Sequence, residues 1–177
     1  MSILTIRPST PADAPAVRAL YQRVAQASGG LARQPNEITA DYVQHFLDRA
    51  QAQGVGLVAE QAGQVVAEIH AYASGLQIFA HVLGDLTVAV DAAVQGRGVG
   101  RRLFKALLGE VQARFSHVRR VELLVRESNA RALALYEQLG FRRKGRLEGR
   151  VAGGHGLEAD IPMAWHAPVP TQAAQTS

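Results

Sequence analysis

At 177 residues, with 47% hydrophobic side chains, the chain suits one domain with a sizeable core, and it carries no internal repeat. It has no cysteine, which excludes disulfides, thiolate metal sites and an acyl-cysteine intermediate, so an acyl group would pass directly to its acceptor or through another nucleophile. A net charge of +4 and a pI near 10.0 would suit a nucleic-acid partner, but aromatics are sparse and no long basic run occurs, so a solvated basic surface is the simpler reading.

In chain order, Ile3 to Arg7 reads as a short strand, and Ser9-Thr10-Pro11-Ala12-Asp13 as a helix start with Pro in the first turn. Val17, Leu20, Tyr21 and Val24 recur at helical spacing up to a stop at Gly29-Gly30. Leu31 to Asn36 reads as loop, and Thr39 as the N-cap of a second helix running to about Gln51, with Tyr42, Val43, Phe46 and Leu47 inward. Val55 to Glu60 and Val65 to Tyr72 form strands of a hairpin turning at Gln61 to Gln64. Alternation in the second puts Ala67, Ile69 and Ala71 on one face and Glu68, His70 and Tyr72 on the other. A strand from Val82 to Val90 then leads through a glycine-rich turn into a helix from Val99 to about Phe115. Val121 to Val125 is an apolar strand of the kind found within a parallel pair. Asn129 opens a helix, Ala130 to Leu139, stopped by Gly140. Phe141 to Leu147 and Ala159 to Trp165 read as two closing strands across a loop with glycines at 153, 154 and 156. The order β-α-α-β-β-β-α-β-α-β-β is that of an α/β protein with a mixed sheet: a domain over 1–166 and a tail over 167–177 whose composition predicts disorder. With no apolar run long enough to span a bilayer and no leader pattern, the expectation is a soluble, cytoplasmic protein.

The chemistry concentrates at the glycine-rich turn, Gln95-Gly96-Arg97-Gly98-Val99-Gly100-Arg101. A strand ending at a helix start, with side chains removed by glycine, leaves unpaired N–H groups and the positive end of the helix dipole aimed at one place, which suits a phosphate. Arg101 and Arg102 stand where a Walker loop requires Lys-Ser/Thr, and Arg101 stands where a dinucleotide fingerprint requires its third glycine. The remaining form, Q-x-x-G-x-G, resembles the pyrophosphate loop of the GNAT-type N-acetyltransferases. A second motif follows the next strand: Asn129, Ala132, Tyr136, Gly140 and Phe141 make N-x-x-A-x-x-x-Y-x-x-x-G-F, similar to the second half of that family's acetyl-CoA site. Asp85 to Val90, Leu124-Val125 and Glu158 to Met163 resemble the subgroup acting on amino acids and small amines.

The resemblance implies a GNAT fold with a splayed fourth and fifth strand and direct acetyl transfer from acetyl-CoA to a primary amine. It implies backbone contacts to the cofactor's carbonyl and pantetheine arm from Val88, Ala89 and Val90, diphosphate binding on the amides of Gln95, Gly96, Arg97, Gly98, Val99, Gly100 and Arg101, and a bond from Asn129 to the pantetheine or acetyl region. Asn129 is equally placed as a helix cap, and Tyr136, the matching thiol acid, shares a helix face with Leu133 and Leu139 as a core tyrosine would. The base stays open among Asp85, which interrupts an apolar run, Glu68 and His81; His81 and Asp85 would share a strand face if pairing is regular. No spacing encodes a metal site. Acceptor specificity would come from 29–39, the second helix and 149–158, and a homodimer would pair along the final strands. A non-catalytic acyl-CoA sensor and an enzyme acting on a peptide N-terminus are the alternatives.

Overall fold

The computed structural model describes residues 3–27 and 31–169. The expected helix stop at Gly29-Gly30 and the tail beyond 169 lie outside the described residues. Eight strands, β1 (Leu4–Pro8), β2 (Gly54–Gln61), β3 (Gln64–Tyr72), β4 (Val82–Val90), β5 (Arg120–Arg126), β6 (Arg142–Arg143), β7 (Leu147–Gly153) and β8 (Gly156–His166), form one sheet. Its order is β1-β2-β3-β4-β5-β8-β6, with β7 also on β8. All pairs are antiparallel except β4 and β5. Four helices cover it: α1 (Ala14–Gln26), α2 (Ala40–Gln53), α3 (Val99–Arg114) and α4 (Ala130–Gln138).

Local chemistry sets these boundaries. The Asp13 carboxylate takes the Thr10 N–H (2.8 Å) ahead of α1 and receives both terminal nitrogens of Arg7 (2.9 and 2.8 Å), which fastens β1 to the helix start. Thr39 Oγ1 accepts the Tyr42 N–H at 3.1 Å, as a cap should. The β2–β3 turn puts Ala62 and Gly63 both at positive φ (52° and 74°), the twist that lets two residues close an antiparallel hairpin.

Both sheet faces are buried, so the alternation in β3 sorts residues between two cores and not between core and water. Ala67, Ile69 and Ala71 meet Leu103, Phe104 and Leu107 of α3. On the other face, Val58, Val65 and Ala89 lie under Val17, Leu20 and Tyr21 of α1 and Val43, Phe46 and Leu47 of α2. Glu68 and His70 lie on this second face, Glu68 wholly buried and His70 nearly so.

The C-terminal strands differ from the sequence expectation. The run from Phe141 to Leu147 supplies only the two-residue β6, and the expected glycine loop is a hairpin: Val151, Ala152 and Gly153 pair with Glu158, Leu157 and Gly156. Residues 142–150 are exposed and mostly charged, so no apolar alternation marks them, and only pairing to β8 defines them as strand.

Candidate functional site

β4 and β5 pair only at Val82↔Arg120 and Leu83↔Val121, and beyond these the strands part. The departure coincides with a bulge. Gly84 pairs with Tyr72 and Thr87 with His70, so Asp85 and Leu86 together oppose one residue of β3, and Asp85 takes φ 50°. This irregularity overturns the expectation that His81 and Asp85 share a regular strand face. His81 precedes β4, its carbonyl holding the amides of Arg119 and Arg120 (2.8 and 3.2 Å), and its side chain lines neither cavity of the split.

Above the bulge, backbone direction follows from register. Asp91 N–H bonds to Val66 O at 2.9 Å, and the same pairing continues through Ala89↔Glu68 and Thr87↔His70. Antiparallel bonding alternates, so Ala89 commits its amide to β3 while Val88 and Val90 turn theirs toward the split. Val90 O is taken by Gln95 Nε2 at 3.0 Å, which ties the glycine turn to the strand end. The Gln95 amide itself donates to Ala92 O (3.4 Å), leaving the N–H groups of Gly96 through Arg101 without a backbone acceptor among the described residues. Gly96 and Gly98 sit at φ 76° and 75°, where a side chain is strained, and Gly98 starts α3. Six consecutive free amides at the N-terminus of a helix of 16 residues form an anion cradle. Arg101 reaches across to Gln138 of α4, whereas Arg97 is exposed. Sequence reasoning missed Arg131: its terminal nitrogen lies 3.9 Å from where a Cβ on Gly96 would be, so α4 brings a second guanidinium to the cradle. Its place two residues after the cap of α4 was the available signal.

Tyr136 joins both readings of its helix position. Its ring packs on Phe104 (centroids 5.0 Å) and Phe141 (6.1 Å), while its hydroxyl has no partner among the described residues and the residue lines the cleft with Val88 and Asn129. Burial pushes the phenol up to about 12, so it keeps its proton through the neutral range. Asn129 likewise combines roles: Oδ1 caps Ala132 N–H at 3.1 Å, and the amide nitrogen remains as a donor.

A second cavity, of about 710 Å³, opens on the α1/α2 side and shares Leu86, Thr87, Leu123 and Leu124, and also residues 31–33 and Arg150, with the Tyr136 cleft, so the two meet at the split. Its walls come from 31–33, α2, β3, the bulge and β7. Asp85 is exposed here with no ion-pair partner among the described residues, so its charge is solvated and carries none of the burial cost its apolar neighbours in sequence suggest. Across the cavity Arg33 lies over the Tyr42 ring, 3.9 Å from its centroid. Glu68 is wholly buried and does not line the cavity; it receives the Tyr21 hydroxyl and lies 3.2 Å from His70 Nδ1. His70 and Tyr72 are the residues of β3 that reach the cavity wall. Among the described residues no cluster could hold a metal ion, and no helix is long and apolar enough to cross a membrane.

The model of the Acetyltransferase (GNAT) family matches residues 16–141, well over half of the chain. The chain belongs to the GNAT acetyltransferase family. N-alpha-acetyltransferase RimI of Mycobacterium tuberculosis is 49% identical over 59 residues, covering 33% of this chain and 34% of that protein. A mycothiol acetyltransferase of Beutenbergia cavernae is 52% identical over 59 residues, covering 33% and 19%. The chain spans about a third or less of the length of these curated relatives. Among solved structures, a GNAT acetyltransferase of Streptococcus pneumoniae superposes with TM-score 0.84 at 22% identity, covering 93% of this chain and all of that one. The ribosomal-protein-alanine N-acetyltransferase of Brucella melitensis gives 0.78 at 26%, covering 92% and 99%. The yncA structure from Salmonella typhimurium, which carries acetyl-CoA, gives 0.80 at 21%, covering 97% and 98%. GNAT proteins use acetyl-CoA, and the free-amide cradle at the start of α3 is chemically suited to its diphosphate.

Proposed function

We propose that this GNAT protein transfers the acetyl group of acetyl-CoA directly to the primary amine of a small molecule of the amino-acid class. The observation that carries the reading is the second cavity. Its volume suits a small ligand, it meets the Tyr136 cleft at the split, and it presents a carboxylate, Asp85, and a guanidinium, Arg33, neither in a salt bridge among the described residues, with Arg33 resting on the Tyr42 ring. Those charges complement an ammonium and a carboxylate on one molecule.

In the mechanism, the amides of Gly96 to Arg101 hold the diphosphate, with Arg97 and Arg131 adding charge. The Val88 and Val90 N–H groups receive the pantetheine arm and the thioester oxygen, where negative charge develops as the amine attacks. The Tyr136 hydroxyl donates to the departing sulfur. A cleft phenol with no partner among the described residues favours catalysis over acyl-CoA sensing, for which the cradle alone would suffice.

The names of the RimI-type relatives favour a second reading, a peptide or protein N-terminus as acceptor. Release of free thiol from acetyl-CoA across amino acids, polyamines, aminoglycosides and peptides separates the two. Amino acids should give the highest kcat/KM, and Arg33→Gln should raise KM for them. Turnover confined to peptides would overturn the small-molecule reading.

A further inference from the structure

We infer that His70 is the catalytic base of the acceptor site, its ring set by a buried Glu68–Tyr21 pair so that Nε2 faces the incoming amine. The inference rests on the acceptor cavity proposed above. His70 lies between the rings of Phe46 (centroids 4.1 Å, planes 16° apart) and Tyr72 (5.9 Å, 12°), which fixes the imidazole plane. Its hydrogen-bond partners among the described residues, Glu68 at 3.2 Å and Tyr21 at 3.5 Å, both approach Nδ1. Among the described residues Nε2 has no partner, yet the only buried side-chain nitrogen or oxygen without one there is Arg49 Nε. Nε2 therefore opens into the cavity that His70 lines.

The arrangement fixes the tautomer. Tyr21 is completely buried, and burial followed by the Glu68 charge pushes its phenol well above the ordinary value, so it stays protonated and donates to Glu68. Among the described residues Tyr21 and His70 are the side chains at hydrogen-bond distance from the Glu68 carboxylate, and a buried carboxylate needs such partners. It accepts the Nδ1 proton, which leaves the lone pair of the neutral ring on Nε2. Register places His70 directly opposite Thr87, the residue before Val88, so the base stands at the edge of the split. The groups facing it are Tyr21 from α1, Tyr42 from α2, Glu68 and Tyr72 from β3 and Asp85 from the bulge, with Arg33 over Tyr42 and Arg49 over Tyr72. Asp85 attracts the ammonium, and His70 removes its proton.

The acceptor ammonium gives one proton to Nε2 and becomes the neutral amine. Its lone pair forms the C–N bond, and collapse of the adduct breaks the C–S bond. Sulfur takes the Tyr136 proton, and the second proton from nitrogen returns through solvent to the phenolate. The His70 proton then leaves to water, so one amide, one thiol and one proton are formed.

The test compares kcat/KM against pH for the wild type and variants with the amine that the wild type acetylates best. His70→Gln should lose about 10²- to 10⁴-fold and the acid limb of the profile, with acetyl-CoA binding unchanged by thermal shift. Imidazole should restore part of the rate to His70→Ala. Glu68→Gln, a change at a positioning residue, should keep part of the rate, and nitrogen NMR of labelled histidine should show the neutral His70 ring losing its preference for the proton on Nδ1. A His70→Gln enzyme with wild-type rate and profile overturns the assignment. So does nitrogen NMR of labelled histidine in the folded wild type that finds the neutral ring protonated on Nε2. Failure of the acceptor reading is seen separately, as wild-type preference for peptides, and the His70 comparison is then made on the preferred peptide.

Discussion

Replacing Tyr136 with Phe isolates one oxygen atom. The ring's contacts with Phe104 and Phe141 survive, and the lost hydroxyl has no partner among the described residues, so stability should stay within about 0.5 kcal/mol. Chemistry should change far more. With its phenol pushed up to about 12, Tyr136 is a weaker acid than a thiol near about 8.5, so full transfer to a free thiolate is uphill by about 5 kcal/mol. On the proposed mechanism the phenol therefore acts during C–S cleavage, as a donor to developing charge, and completes the transfer only because the adduct's acidic nitrogen proton restores it. Removal of such a donor costs about 10²- to 10⁴-fold, or about 3 to 5 kcal/mol of barrier. Thiol release at saturating acetyl-CoA, measured across pH, gives kcat, and urea denaturation gives stability. A kcat within twofold of wild type at every pH would refute the donor role. A stability loss above about 2 kcal/mol would refute the claim that the hydroxyl is free of structural work.

Asp13→Asn should cost about 1 to 2 kcal/mol near neutrality, a range reduced for the partial exposure of Arg7. The Arg7 guanidinium holds the Asp13 carboxyl below its ordinary 3.8, so the contribution is complete above that value and disappears as pH falls through the lowered folded value; urea midpoints of wild type and variant should converge in acid. Gly54→Ala would drive a Cβ into the carbonyl oxygen of Ala71 and to 2.6 Å from Tyr72 Cα, both backbone, and should destabilise by about 3 kcal/mol, read as a fall in Tm. Gly98→Ala meets no atom within 4 Å but keeps φ at 75°, so it should cost only about 1 to 2 kcal/mol while weakening acetyl-CoA binding in calorimetry. Asp85→Asn should raise KM for the amine with acetyl-CoA binding intact.

Local signals determined much of this protein from its sequence alone. Periodicity placed α1 to α3 and β1 to β5 to within a few residues, because each lays an apolar face on one of two cores. Gly96 and Gly98 stood out because positive φ is a demand on single residues, and Asn129 and Tyr136 lay in a spaced motif at the cap and on the face of one helix. What tertiary structure decided depends on residues brought together from distant parts of the chain. The bulge that turns Asp85 into the cavity comes from a mismatch between β3 and β4, and no single strand carries a mark of it. The β7–β8 hairpin has no apolar alternation and exists through its pairing. Glu68, read in sequence as a possible base, is withdrawn behind His70 because α1 lays Tyr21 over that face of β3. His70 becomes the group at the cavity wall for the same reason: strand alternation gives its face, and only the helices packed on that face fix what its two nitrogens meet.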